Sequence, residues 1–273
     1  MTLSRALSWA TEQLSDSCDR PRYEAELLLA YHIDRDRIYL FTHDDEPIDR
    51  VDEFIDIIDR RASHEPYEYI VGRVSFYDIE LSIVDGVLIP RPETEILIDE
   101  TSAIIEQHSI TKIIEIGVGS GAISIVLARK FPHLEIVATD INPIALELAK
   151  KNLDSFGLSD RVTLLQTNLM DSVELDAQMV VSNPPYIAKD FQLDTNVAEY
   201  EPHNALFGGD IGDELLIEIV KDTKARSIEW LVCEMGYDQK ASMMSLFDKL
   251  SVKQYRFYKD LAKFDRGFVV EFY

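Results

Sequence analysis

Asn183-Pro184-Pro185-Tyr186 follows four residues, 179–182, that are typical of a buried strand. Neither proline carries a backbone N–H, so the turn is stiff and its free polar groups are mostly acceptors. The Asn183 side-chain oxygen and the Pro184 carbonyl can each accept one hydrogen bond. Two such acceptors fit a planar –NH2 group, and binding both of its hydrogens turns the nitrogen lone pair toward an electrophile. The turn therefore predicts methylation of an amide or amine nitrogen, with Tyr186 stacking on the planar group or excluding water.

This chemistry needs no strong general base before the attack. Nitrogen becomes acidic once it has bonded to a methyl group, so water or a carbonyl can then remove the surplus proton. The chain has six histidines, and none of them falls inside the proline turn or the glycine-rich loop at 117–121.

A glycine-rich loop, formed by Gly117, Val118, Gly119, Ser120 and Gly121, follows the apolar strand predicted at 112–116. Glycines at every second position allow a tight turn and let backbone N–H groups approach a ligand without Cβ clashes. The third glycine comes one residue too early for the G-x-G-x-x-G dinucleotide fingerprint. The loop therefore indicates a ligand that contains a nucleoside, without requiring a pyrophosphate.

Asp140 ends the next predicted strand, 19 residues after Gly121. An acidic residue at about that distance binds the ribose hydroxyls in Rossmann-type sites. A tight βα turn is the structural alternative for the glycines alone, but the ordered series of strand, loop, helix, strand and acid favours a nucleoside cofactor.

Three further residues near this edge are candidates for cofactor contacts. Glu115 is a charge inside an apolar strand, which is costly unless it serves a purpose. It could hold the loop backbone or face the positive sulfonium and amino group of a cofactor. Asn168 is placed to reach an adenine edge and Leu169 to pack on the ring, with a purely structural role as the alternative for both.

The elements that must position these residues fall into three segments. Residues 1–72 read as short amphipathic helices, for example at 21–32 and 51–60, with no cluster of catalytic or metal-binding side chains. Residues 73–86 alternate in polarity and predict a β-hairpin linker. Residues 87–273 alternate strands with helices, which predicts a largely parallel sheet, with a hairpin near the carboxyl terminus at the sheet edge.

Composition narrows the possible partners. The 27 basic and 50 acidic residues give a net charge of −23, which repels a phosphate backbone, so we expect no direct nucleic-acid binding. Two cysteines are too few for a disulfide framework or a zinc site. No signal-peptide core or membrane span is visible, so we expect a cytoplasmic protein, without a metal and monomeric.

The combined motifs resemble S-adenosylmethionine (SAM)-dependent methyltransferases that act on amino groups. More closely, the chain resembles the peptide chain release factor N5-glutamine methyltransferases, the PrmC/HemK family. The resemblance also includes Phe76-Tyr77, IPRPETE at 89–95, EPHNALFGG at 201–209, CEMG at 233–236 and KDL at 259–261. The IPRPETE run is the most specific, because adenine-N6 and cytosine-N4 DNA methyltransferases share N-P-P-Y.

The resemblance implies an α/β fold, namely a Rossmann-like class I methyltransferase domain joined by the hairpin linker to a small helical domain. It implies SAM as cofactor, with S-adenosyl-L-homocysteine (SAH) as product, held by the glycine loop, Asp140, Asn168, Leu169 and Asn183. Many relatives carry an aspartate at position 168, and some carry an aromatic residue at 169.

The resemblance also implies the substrate, which is the glutamine of the Gly-Gly-Gln motif of class-I release factors, methylated on its side-chain nitrogen. Asn183 and the Pro184 carbonyl would bind the glutamine amide, with Pro185 and Tyr186 lining the slot. The run at 90–95 would shape the pocket near the methionine end of the cofactor, and the helical domain would grip the body of the release factor.

Some alternatives stay open from the sequence. Residues 189–213 show little periodicity and fit either a lid-like loop over the substrate or a solvated linker. A nucleic-acid amine methyltransferase would use the same acceptors, but it would also need access to a base and phosphate contacts, which the charge disfavours. A module that binds cofactor and only docks to partners is the non-enzymatic alternative.

Overall fold

The computed structural model describes residues 1–273 and divides them into two compact units. The first unit comprises Met1–Arg73 together with Leu193–Tyr200, and the second comprises Val74–Gln192 together with Glu201–Tyr273. The functional division into docking, linker and catalytic segments stays a prediction.

The first unit is helical, as the sequence predicts. Its helices are α1 (Leu3–Gln13), α2 (Pro21–His32), α3 (Tyr39–Thr42), α4 (Val51–Ala62), α5 (Tyr67–Val71) and α9 (Thr195–Tyr200). Pro21 occupies the first turn of α2, where its missing N–H costs nothing. Leu28, Leu29, Phe54 and Ile58 are buried in one shared core, which requires the helices to pack together.

The second unit is built on a seven-stranded sheet. Its strands are β3 (Lys112–Ile116), β4 (Glu135–Asp140), β5 (Val162–Gln166), β6 (Met179–Ser182), β9 (Trp230–Glu234), β10 (Gln254–Lys259) and β11 (Asp265–Glu271). They lie in the order β10-β11-β9-β6-β3-β4-β5 across the sheet. Strands β9, β6, β3, β4 and β5 are mutually parallel, while β11 pairs antiparallel with both β9 and β10. The predicted largely parallel sheet and the hairpin at its edge are both confirmed.

Five helices of the second unit accompany the strands of this sheet along the chain, although none lies between β5 and β6. They are α6 (Thr94–His108), α7 (Ala122–Lys130), α8 (Pro143–Ser155), α10 (Glu214–Ala225) and α11 (Lys240–Leu250). All four residues of β6 are buried, because a central parallel strand is covered on both faces. None of the helices is long and apolar enough to cross a membrane.

Two short strand pairs complete the fold. Strands β1 (Arg73–Phe76) and β2 (Ile79–Ser82) form a two-stranded sheet, which confirms the strand pair predicted there. Strands β7 (Ile187–Ala188) and β8 (Phe207–Gly209) pair in parallel. In the sequence, the short helices α9 and η1 (His203–Ala205) lie between these two strands.

The carboxyl ends of the central parallel strands meet at one edge of the sheet. Ile116 pairs with Thr139 on one side and with Ser182 on the other, and the Ser182 hydroxyl donates to the Ile116 carbonyl at 2.8 Å. From β3 the chain adds β4 and β5 on one side of the sheet, and it then adds β6 and β9 on the other side. Open α/β sheets bind ligands at such a point of reversal, which lies here between β3 and β6. The glycine loop and Asn183 follow strands at this edge, and Asp140 is the last residue of β4.

Candidate active site

The glycine loop is held against the end of the neighbouring strand β4. The Gly117 and Val118 N–H groups both donate to the Thr139 carbonyl at 2.9 Å, and the Gly119 N–H donates to the Asp140 carboxylate at 3.0 Å. Gly119 has φ +52° and a Cβ there would meet nothing within 4 Å. The loop thus leaves open space beside its backbone, as an approaching ligand requires.

Asp140 is half-buried and is oriented by two backbone donors. One carboxylate oxygen accepts from Asn142 N–H at 2.9 Å and the other from Gly119 N–H. Burial raises the pKa of Asp140 above its usual value, although the backbone hydrogen bonds oppose this shift. An ionised carboxylate has about four acceptor positions, so Asp140 keeps capacity for the hydroxyls of a ligand.

An open cleft lies along the sheet edge, and eight of the predicted residues line it. These are Gly117, Gly119, Asp140, Asn168, Leu169, Asn183, Pro184 and Pro185. The predicted residues Val118, Ser120, Gly121 and Tyr186 do not line it. Val118 and Ser120 are buried, and Gly121 is the N-cap of helix α7 with φ +86°, where an added Cβ would lie 3.5 Å from Ala149.

Asn168 and Leu169 differ in what they offer to the cleft. Asn168 is exposed, whereas Leu169 is buried in the core of the second unit and has φ +45°. A branched residue in the left-handed region is strained, and such strain persists where the surroundings hold it in place. The positive φ of Leu169 turns the chain at the wall of the cleft.

The proline turn presents two acceptors that no protein group uses. The Asn183 Nδ2 donates to Thr94 Oγ1 at 2.9 Å, which leaves Asn183 Oδ1 without a donor. The Pro184 carbonyl likewise receives no hydrogen bond from the chain. Since both residues line the cleft, they can offer two acceptors to a ligand.

Behind the turn lies a buried network centred on Glu234 at the end of β9. Thr94 Oγ1 donates to one Glu234 oxygen at 2.8 Å, and the Tyr186 hydroxyl donates to the other at 2.9 Å. Burial raises the pKa of Glu234 to about 7, opposed by these two hydrogen bonds and by Arg266. Gln239 Nε2 donates to the Tyr186 carbonyl at 2.8 Å, which fixes the turn from its other end.

Glu115, a buried glutamate in β3, has a structural role. One carboxyl oxygen bonds the Ser124 hydroxyl in the first turn of α7, and the other has no partner. Burial raises the pKa of Glu115 to about 8. Glu115 does not line the cleft, and it holds the helix that follows the glycine loop rather than the loop itself.

The segment at 189–213, for which the sequence left a lid or a linker open, is tied to the IPRPETE run. The buried Glu201 carboxylate accepts from Ile89 N–H at 3.3 Å and forms an ion pair with Arg91. Pro202, Asn204 and Ala205 line the cleft. Part of this segment therefore forms a wall of the site.

Comparison with known proteins identifies the family. Residues 5–72 match the model of the PrmC N-terminal domain, and residues 93–201 match that of the methyltransferase small domain. A release factor glutamine methyltransferase of Rhodopirellula baltica is 38% identical over 237 residues, covering 82% of this chain and 80% of the relative. The chain belongs to the release factor glutamine methyltransferase family.

Further relatives extend the match over nearly the whole chain. The release factor glutamine methyltransferase of Koribacter versatilis is 34% identical and covers 87% of each chain. That of Xylella fastidiosa is 32% identical over 95% of this chain and 94% of the relative. The resemblance stated from the motifs is thus confirmed, and the chain is a SAM-dependent methyltransferase.

Solved structures agree on the fold. The catalytic domain of human METTL16 in complex with an RNA hairpin aligns with TM-score 0.58 and 18% identity, covering 71% of this chain and 75% of that chain. The N-terminal domain of human METTL16 in complex with SAH aligns with TM-score 0.53 and 20% identity, covering 71% and 76%. At these identities the likeness shows the predicted Rossmann-like methyltransferase fold alone.

The cleft fits the cofactor of this methyltransferase family. Asp140 lines the cleft with carboxylate acceptors of the kind that bind ribose hydroxyls, and the open space beside Gly119 admits close approach to the loop backbone. Ile116, Ala145 and Leu169 add apolar lining of the kind that packs against an adenosyl group. SAM supplies the methyl group on a positively charged sulfur.

Several residues of the methyltransferase site were not assigned from the sequence. Ile141 follows Asp140, is 53% exposed and lines the cleft, so an apolar residue after the strand-end acid could have indicated it. Thr94 lies within the IPRPETE run, which was expected to shape the pocket, and Glu234 lies within the CEMG motif, but neither residue was assigned an individual role from the sequence. The cleft is lined by Gly86, Val87 and Leu88, whereas the run at 90–95 reaches the site through the bond of Thr94 to Asn183.

Proposed function

We propose that this methyltransferase modifies the side-chain amide nitrogen of the glutamine in the Gly-Gly-Gln motif of class-I peptide chain release factors. The observation that carries the proposal is the pair of unused acceptors, Asn183 Oδ1 and the Pro184 carbonyl, at the lip of the cleft. A glutamine carboxamide has two N–H donors on one nitrogen, which is the complement of this pair.

In the proposed mechanism, Asn183 and Pro184 activate the amide by holding both of its hydrogens. An amide nitrogen is a poor nucleophile because its lone pair is delocalised into the carbonyl. Two acceptors that bind both hydrogens favour a pyramidal nitrogen, and they stabilise the positive charge that grows on the nitrogen as it bonds to the methyl carbon. SAM, held by the residues that line the cleft, would supply the methyl group and leave as SAH, and water or a carbonyl would accept the proton that the nitrogen loses.

The remaining predicted residues divide into binding and support. Gly117, Gly119, Asp140, Asn168 and Leu169 would hold the cofactor directly, because they line the cleft. Val118, Ser120 and Gly121 would support the loop from behind, since they face the core or helix α8. Asn183 would touch both cofactor and substrate, and Pro185 and Tyr186 would form the wall of the glutamine slot.

The partner in this proposal is the release factor itself. The proposed role of residues 1–72 is to bind the body of the factor. Residues 5–72 of this segment match the PrmC N-terminal domain. The net charge of −23 favours a partner surface that carries basic residues. The cytoplasm as compartment and the monomeric state stay predictions.

The test is methyl transfer from radiolabelled SAM to a class-I release factor, beside a factor whose Gly-Gly-Gln is changed to Gly-Gly-Ala. We expect label on the normal factor and none on the variant. Equal label on both would exclude this glutamine as the target. Label on neither, with SAM bound, would contradict the proposal, and the same assay with DNA and RNA would then test the nucleic-acid alternative.

A further inference from the structure

The Asn183 amide has two ends of nearly equal size, and only one of them suits the proposed reaction. With its oxygen toward the slot, Asn183 accepts an N–H of the glutamine amide. With its –NH2 toward the slot, it would oppose that amide and attract a carboxylate instead. The site therefore needs a device that prevents the Asn183 side chain from turning over by 180°.

We infer that Thr94 and Glu234 are positioning residues that fix the orientation of the Asn183 amide and thereby select a carboxamide over a carboxylate in the substrate slot. This inference rests on the proposed function. It concerns how the site excludes the close analogue of its substrate, in which glutamate replaces glutamine.

The direction of the hydrogen bonds carries the argument. Thr94 Oγ1 lies 2.8 Å from Glu234 Oε2 and 2.9 Å from Asn183 Nδ2. A hydroxyl has one hydrogen, and an ionised carboxylate can only accept, so the Thr94 hydrogen is directed to Glu234. The Thr94 oxygen must then accept from Asn183, and only the –NH2 end of that amide can donate. The Asn183 oxygen is left facing the cleft.

Glu234 is itself held in place by its other oxygen. The Tyr186 hydroxyl donates to Glu234 Oε1 at 2.9 Å, and Gln239 holds the Tyr186 backbone. The side chains of Thr94 and Glu234 are buried, so water does not compete for these bonds. A buried carboxylate with a donor on each oxygen is thus the fixed end of a series of hydrogen bonds that leads to Asn183.

The same series of hydrogen bonds indicates what would allow the Asn183 amide to turn over. A protonated Glu234 could donate to Thr94, whose hydrogen would then be free to point to Asn183 and reverse the amide. Burial and the facing groups set the charge of Glu234; these groups are Arg266, Glu93, Tyr186, Cys233 and Tyr258. Activity should therefore fall as the pH drops below about 7, the pKa to which burial raises Glu234.

The experiment compares Thr94→Val with the matched control Thr94→Ser. Valine keeps the shape but can neither accept from Asn183 nor donate to Glu234, whereas serine keeps both bonds. Two quantities are measured: kcat/KM for the normal release factor, and the inhibition constant of a factor whose Gly-Gly-Gln is changed to Gly-Gly-Glu. The dissociation constant for SAM checks that each variant is folded.

For Thr94→Val we expect kcat/KM to fall about tenfold to a hundredfold, and the preference for Gly-Gly-Gln over Gly-Gly-Glu to fall about tenfold or more. Thr94→Ser should stay within about threefold of the wild type in both quantities. SAM affinity should stay within about threefold in all three proteins. A Thr94→Val protein that keeps the wild-type preference between the two factors would overturn the inference, whatever its absolute activity.

A second variant keeps the inference testable if Thr94→Val fails to bind SAM. Glu234→Gln removes the titrating group, so the loss of kcat below about pH 7 seen in the wild type should disappear. A Glu234→Gln protein with the wild-type pH profile would overturn the inference. If the wild type transfers no methyl group to any release factor, the proposed function fails and the inference fails with it. If the wild type is active, the variants test the inference alone.

Discussion

The two halves of the cleft are held by different kinds of interaction. In the cofactor half, which consists of residues 117–121 and Asp140, backbone N–H groups bond a strand end and a carboxylate only about 20 residues away. In the acceptor half, which consists of Asn183–Tyr186, Thr94 and Glu234, side chains from three separate segments bond one another. The first half depends on backbone N–H groups of the glycine loop and one carboxylate, whereas the second depends on bonds between side chains of distant segments.

This difference predicts how each half fails. A change in the cofactor half should weaken SAM binding and leave the chemistry at saturation largely intact. A change in the acceptor half should slow the chemistry and leave SAM binding intact. The variants below test that separation.

The largest effect is expected for Asn183→Ala. Loss of the side-chain acceptor should lower the rate of methyl transfer about 10³-fold, because the interaction matters most where charge develops. The dissociation constant for SAM should change by no more than a few-fold. Single-turnover transfer and equilibrium binding measure the two quantities separately. Near-normal turnover would refute the role of the Asn183 oxygen as acceptor.

Asp140→Ala should have the opposite signature. Removing the carboxylate takes away the ribose acceptor and also frees the Gly119 N–H, so the KM for SAM should rise about tenfold to a hundredfold, with a smaller change in kcat. Asp160→Ala, which removes one exposed carboxylate elsewhere, is the control for net charge. A selective loss of kcat in Asp140→Ala would break the proposed separation of the two halves.

Gly119→Ala tests the backbone of the cofactor half directly. An alanine at φ +52° costs about 1 kcal/mol of unfolding free energy, and its Cβ would enter the open space beside the loop. We expect SAM affinity to fall about tenfold. Gly157→Ala is the matched control, because Gly157 has φ +66° and equal open space but lies outside the cleft. Equal SAM affinity in the two variants would mean that the cofactor does not approach Gly119.

The smallest effect concerns the contribution of the buried Glu115 to stability. The pKa of Glu115 is about 8 in the folded protein against an ordinary value of 4.5, so the folded state holds the proton more tightly than the unfolded chain. The stability from this group is full below pH 4.5 and is lost as the pH rises toward 8.

Glu115→Gln should remove this pH dependence. Between pH 6 and 8 the wild type should lose about 1 kcal/mol of unfolding free energy per pH unit relative to the variant. Urea unfolding at several pH values measures the difference, and Glu218→Gln, at an exposed position, serves as control. Parallel stability curves for wild type and Glu115→Gln would show that Glu115 is ionised in the folded protein.

The same difference explains what the sequence could and could not predict. The glycine loop, Asp140 and the position of Asn183 at a strand end are local signals, since strand periodicity and short spacings determine them. The link from Thr94 to Glu234 spans 140 residues, and only the pairing of β6 with β9 brings β9 beside the turn. No spacing rule covers such a contact.

Other features of the site depend on backbone conformation that residue type does not indicate. Leu169 has a positive φ although leucine disfavours it, and Ile141 is exposed although isoleucine is usually buried. The sequence also could not predict which carboxylate oxygens of Glu115 and Glu234 have hydrogen-bond partners. Both glutamates lie in apolar strands, yet only Glu234 has a bonding partner for each oxygen.

Helix α9 has a consequence for attempts to take this protein apart. Residues 193–200 belong to the first compact unit although they lie far along the chain, and the Tyr200 hydroxyl donates to the Ser63 carbonyl at 2.7 Å. A protease that cuts once near residue 73 should therefore leave two fragments that stay together in native gel filtration. An exchange of the amino-terminal unit between two relatives would likewise have to transplant two stretches of chain.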